Sequence, residues 1–94
     1  MSAIALLTIE LHLPDAHSLK EKRMVLQRIK ARLAKFNVAI AEIEYHDLWQ
    51  RAALGAVTIS TDRAHADREL AAVADEIERI EPGLITGTQL EFLA

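Results

Sequence analysis

The chain has no cysteine among its 94 residues. That excludes a disulfide framework and thiol chemistry, and it restricts any zinc site to histidine and carboxylate ligands. A reducing, cytoplasmic location is the expectation compatible with such a chain. A long hydrophobic run is also lacking. The apolar start, "MSAIALLTIELHLP", has no basic n-region, and Glu10 and His12 interrupt it too early for a signal core or a membrane span. There is no phosphate loop, nucleophile elbow or dinucleotide fingerprint. Aromatic residues are scarce, with one Trp, one Tyr and two Phe. The formal charge of -3 decides nothing about nucleic acid, because local charge is what steers a polyanion. What is present is a globular balance of 51% hydrophobic and 27% charged residues, and enough chain for one core. A single domain over residues 1–94 is expected.

The order of elements reads β-α-β-β-α-β. From Ala5 to Leu13 one parity is apolar throughout, while the other passes from Ile4 and Leu6 to Thr8, Glu10 and His12, which predicts a strand with one buried face. Pro14 stops it. Ser18 with Glu21 three residues later forms a capping box, the hydroxyl taking the Glu21 amide and the carboxylate returning to the Ser18 amide. Leu19, Leu26, Ile29, Leu33 and Phe36 then share one helical stripe, so the first helix runs to about Lys35. Val38 to Tyr45 and Arg51 to Thr61 alternate apolar and β-branched residues and are joined by the five residues His46 to Gln50, a hairpin pattern. Asp62 caps a second helix with Ala66, Leu70, Val73, Ile77 and Ile80 on its stripe, closed by Glu81-Pro82-Gly83. Leu84 to Leu93 is the last strand.

Right-handed crossovers on this order give a ferredoxin-like α+β sandwich, an antiparallel sheet in spatial order 4-1-3-2 with both helices on one face. The loop after the first strand, "HLPDAHSLKEKR", and the hairpin "HDLWQRA" then meet at one end of the sheet, roughly 10 Å apart. That edge is electrostatically odd. Acidic residues belong in the first turn of a helix, yet Lys20, Lys22 and Arg23 crowd this one. The first helix holds seven of the eleven Lys+Arg (Lys20, Lys22, Arg23, Arg28, Lys30, Arg32, Lys35) against one acid, Glu21, whereas the second is acid-rich. Mutual attraction of the helix flanks accounts for the middle of the first helix. At its first turn, amides, dipole and cations together favour a bound anion such as phosphate, with a merely solvated helix end as the competing reading.

The strings "ELHLPDAHSLKEKR", "HDLWQRAALG" and "STDRAHAD" resemble the YlxP-like family of small bacterial proteins, across nearly the whole chain. The resemblance implies a ferredoxin-like fold and a genetic setting beside translation initiation factor two and ribosome-binding factor A. It carries over no catalytic residue. Ribosome assembly or RNA is suggested by that association.

The residues qualify the suggestion. An RNA-recognition-motif mode needs rings on the open face of strands 1 and 3, and "RAALGAVTIS" has none. The open face is expected to show Ile4, Leu6, Val38, Ile40 and Leu93 toward one end, an apolar half suited to a second copy, with Glu10, His12, Glu42, Glu44 and Gln89 toward the other. His12, His17 and His46 with Asp15 and Asp47 lack the tight pairing of a metal site, and Glu10 beside Glu42 or Glu44 lacks the burial that separates two carboxylates. No metal, cofactor or catalytic residue is assigned. Trp49 either packs against Leu48 and Pro14, meets a second copy, or stacks on a base with Arg51 beside it. The expectation is a non-enzymatic, homodimeric module that assists ribosome biogenesis or translation, binding RNA or a ribosomal particle through Ser18, Lys20, Lys22, Arg23, Trp49 and Arg51. A protein-interaction module using Trp49 and the open face is the competing expectation.

Overall fold

Alternation in the first strand sets the frame. Along β1 (Ala3–His12) the residues Ala3, Ala5, Leu7, Ile9 and Leu11 are buried, while Ile4, Leu6, Thr8 and Glu10 keep partial access to solvent on the other face. The computed structural model describes residues 2–94 and continues with α1 (Leu19–Leu33), β2 (Ala39–Glu44), β3 (Arg51–Ser60), α2 (Arg63–Ile80) and β4 (Ile85–Phe92). The four strands are ordered β2-β3-β1-β4 and every neighbouring pair is antiparallel, the expected 4-1-3-2 arrangement. On the covered face, Leu7 stands opposite Ala56 and Ile9 opposite Leu54. Leu26, Ile29 and Leu33 from α1 and Leu70, Val73 and Ile77 from α2 close over them as one core. Small residues on β3 let the larger side chains of β1 and the helices fill that layer.

The ends of elements shift slightly from the sequence expectation. The α-helix of α1 stops at Leu33, two residues early, as the amides of Ala34 and Phe36 turn to the carbonyls of Ala31 and Leu33 at 3.4 and 3.0 Å, a tightened final turn. Ser18 caps as expected, its Oγ accepting the Glu21 amide at 3.0 Å. The return bond differs: Glu21 Oε2 accepts from the His17 amide at 2.6 Å, one residue before the cap.

One larger expectation is corrected. Val38 and Ile40, expected on the open face, both pack against the core beneath the helices. The segment "VAIAEIE" is apolar on both parities, so alternation does not choose a side; pairing with β3 does. Ile40 lies opposite fully buried Ala56, and Ala39 opposite Val57, placing Ala39 and Ala41 on the open face instead. A register shift between Glu42 and Glu44 follows, where β2 bends away. Part of the charge segregation between the helices is answered across their flanks, by Arg28–Glu81 at 2.7 Å and Lys35–Glu76 at 3.4 Å.

Candidate functional site

The edge where β1 ends and the β2–β3 turn projects is laced together by two side chains. Lys22 sits on the stripe between Leu19 and Leu26, and its side chain is 2% exposed. Its Nζ donates to the carbonyls of Tyr45 at 2.8 Å and Arg51 at 3.2 Å, with that of His46 at 3.5 Å. It also stands 2.9 Å from Glu42 Oε2, a carboxylate oxygen that is itself buried. Gln50 Nε2 donates to the carbonyls of Pro14 and Ala16 at 3.1 and 3.3 Å, and the Leu13 amide donates to Gln50 O at 2.9 Å. Helix, first loop and hairpin are therefore one unit at this end.

Tyr45 takes the left-handed conformation, φ 65, without being glycine. A bulky residue there costs of order 1 kcal/mol or more, so surrounding bonds must hold it. Its carbonyl accepts from both Lys22 Nζ and the Leu48 amide, the latter at 3.0 Å. Its ring lies under Arg51, whose guanidinium carbon is 3.9 Å from the ring centroid. Arg51 also donates to Tyr45 Oη at 2.9 Å and Glu10 Oε2 at 3.3 Å.

On this braced base Trp49 is 52% exposed and Leu48 47% exposed. Trp49 is not a core anchor. With His12, Asp47, Leu48, Gln50 and Arg51 it lines a shallow depression of about 520 Å³. The sequence-derived anion set is thereby split. Ser18 is a helix cap, and Lys22 is buried in internal bonds and cannot face a ligand, which corrects its assignment. Arg51 reaches the depression and is paired at the surface with Glu10 at 3.3 Å. Lys20 and Arg23 are exposed, have no carboxylate within 4.0 Å among the described residues, and do not line the depression. Tyr45 joins the site unassigned by sequence reasoning, and His12, weighed there only as a metal ligand, lines the depression. The missed signal was Lys22 itself, a lysine in phase with Leu26, Ile29 and Leu33, where an apolar residue belongs.

The other expected clusters disperse. Glu10 lies on the open face and Glu42 on the helix-covered face, so they form no carboxylate pair. His46 Nε2 sits 3.0 Å from the Glu42 carbonyl, and no three histidines or carboxylates among the described residues are placed to hold a metal ion. At the opposite end of the open face, Ile4 and Leu6 are joined by half-exposed Ile59, Leu93 and Ile43. A dent of about 200 Å³ there is lined by Leu6, Ala39, Ala41, Ile43 and Val57, with Gly55 as its floor. A Cβ at Gly55 would stand 3.2 Å from Ile43 Cγ2. No helix among the described residues is long and apolar enough to cross a membrane.

Residues 4–89 match the family described as "Protein of unknown function (DUF503)". The chain belongs to this family. Over 57 residues it is 53% identical to "Uncharacterized protein YlxP" of Bacillus subtilis (strain 168), covering 60% of this chain and 62% of that relative's length. Among solved structures it is similar to "De novo designed protein Foldit4", at TM-score 0.58 and 9% identity over 100% and 98% of the two chains. It is also similar to SnoaB, a cofactor-independent oxygenase from Streptomyces nogalater, at TM-score 0.51 and 17% identity over 100% and 93%. At such identities these two likenesses bear on the fold alone.

Proposed function

We propose that this family member is a non-enzymatic cytoplasmic module that assists ribosome biogenesis or translation by binding RNA in a ribosomal particle through the Trp49 edge. The observation that carries the proposal is a half-exposed tryptophan on a turn braced from beneath by buried bonds. An exposed ring on a fixed base suits stacking against an unpaired base, which contributes roughly 1–3 kcal/mol. Tyr45 under Arg51, and His12 beside Trp49, supply further flat groups from the turn and the end of β1, not from the strand interiors that an RNA-recognition motif uses. Lys20 and Arg23 are left to meet phosphates.

With Lys22 internal, two phosphate contacts remain. Lys20→Gln with Arg23→Gln should therefore flatten the logarithmic salt slope on a single-stranded oligoribonucleotide by about 1.4 units, at roughly 0.7 per contact. Ribosomal material recovered with the tagged chain should be released by ribonuclease. An unchanged slope together with ribonuclease-resistant recovery would contradict RNA binding.

A protein-interaction module is the second reading, favoured by Leu48 exposed beside Trp49. Self-association through Ile4, Leu6 and Leu93, now with Ile59 and Ile43 in place of Val38 and Ile40, belongs to either reading. Light scattering should give a dimer at micromolar concentration that Ile59→Glu weakens; a monodisperse wild-type monomer would remove it.

A further inference from the structure

Burying an ammonium is costly unless oxygen atoms surround it. Lys22 has four around its Nζ: three main-chain carbonyls, of Tyr45, His46 and Arg51, and Glu42 Oε2, at 2.8 to 3.5 Å. Every one belongs to the end of β2, the turn or the first residue of β3, and none to its own helix. One of the carbonyls belongs to Tyr45, whose left-handed backbone opens the turn that carries Leu48 and Trp49. A core-filling side chain at this point would take the cation from the Glu42 oxygen and a donor from each of those carbonyls, leaving that of Tyr45 only the Leu48 amide.

We propose that Lys22 is a positioning residue for the Trp49 site: it locks the turn in the ligand-binding conformation before any ligand arrives. The proposal deepens the RNA-binding reading and rests on it for the identity of the ligand. The lock lowers the ordering cost of binding, because affinity is reduced by the fraction of molecules whose site is not preformed. It also answers the sequence oddity at the start of α1, where a cation opposes the helix dipole: its charge is directed at hairpin oxygens, across the helix–sheet boundary.

The test uses Lys22→Met, which keeps an unbranched side chain one atom shorter and removes its donors. Time-resolved anisotropy of Trp49, the sole tryptophan, should gain a fast component while far-UV circular dichroism still reports a folded chain. If only about a tenth of the variant molecules hold the preformed turn, an oligouridylate should bind about tenfold more weakly. In a Trp49→Ala background the same change should alter affinity by less than about twofold, since the lock then has nothing to present. A folded Lys22→Met variant with wild-type Trp49 anisotropy would overturn the proposal, as would equal losses of affinity in both backgrounds. If Lys22→Met does not fold, Glu42→Gln serves in its place, and it should loosen Trp49 in the same direction by a smaller amount; unchanged anisotropy there overturns the proposal too. Should the wild-type chain fail to bind oligouridylate, the RNA reading falls, while the anisotropy still decides whether Lys22 locks the turn.

Discussion

The two helices begin alike and diverge at the fourth residue past the cap. Ser18 and Asp62 each accept the amide three residues on, at 3.0 and 2.8 Å. Beyond them, Lys22 in α1 and Ala66 in α2 occupy equivalent positions and are 1% and 0% exposed. At the start of α2 a methyl group fills the space, and that is all the packing of a helix on a sheet demands there. At the start of α1 a long charged side chain fills it and continues to the hairpin. The contrast separates what the fold needs from what the Trp49 edge needs.

The comparison breaks most sharply at Lys22. Lys22→Met takes the cation from a buried carboxylate oxygen and a donor from the turn carbonyls and should cost about 3 kcal/mol, the lower part of the range for breaking a buried pair, because the Glu42 side chain is 17% exposed. Adding Glu42→Met should restore part of that loss, and urea midpoints of the single and double variants measure it. Full additivity of the two changes would mean that the pair is not a unit. The caps come next. Ser18→Ala and Asp62→Ala should each cost about 1 kcal/mol and match one another, since both supply the same bond. A much larger loss at Ser18 would show that the start of α1 depends on its cap more than on the lock.

The smallest effect concerns acid. The hydrogen bond from Arg79, with the charges of Arg79 and Lys35, holds the Glu76 carboxyl below the usual glutamate value. A carboxyl lowered in the folded state adds stability above its unfolded value and loses that stability as pH falls through the folded one. Glu76→Gln should therefore lower stability at neutral pH and flatten the acid limb of the melting curve. An acid limb unchanged by the substitution would contradict this.

Much of the fold was legible because its signals are local and redundant. Alternation from Ala5 to Leu11, the caps at Ser18 and Asp62 and the stripe from Leu70 to Ile77 each point to one element, and handedness then leaves few arrangements. The face of β2 was not legible, since Val38 and Ile40 compete with Ala39 and Ala41 on the opposite parity and only pairing with β3 decides. At the site, the meeting of the loop and the hairpin followed from topology, and the exposure of Trp49 did not, because a tip residue can fold inward as easily as outward. Lys22 was misassigned for a physical reason: net charge near a helix start says where a cation originates, while a side chain of that length can end across the core boundary. The contacts of Arg51 were not legible either, as Glu10 reaches it from β1 and Tyr45 from the turn.

Trp49 emission decides the central claim most directly, because the only tryptophan of the chain lies within the proposed contact. Titrating the protein with a single-stranded oligoribonucleotide should quench that emission to saturation, and Trp49→Ala should weaken binding by roughly 1–3 kcal/mol while leaving its salt slope unchanged. Saturable binding with unaltered emission and wild-type affinity in Trp49→Ala would contradict the account and move any RNA contact away from this edge.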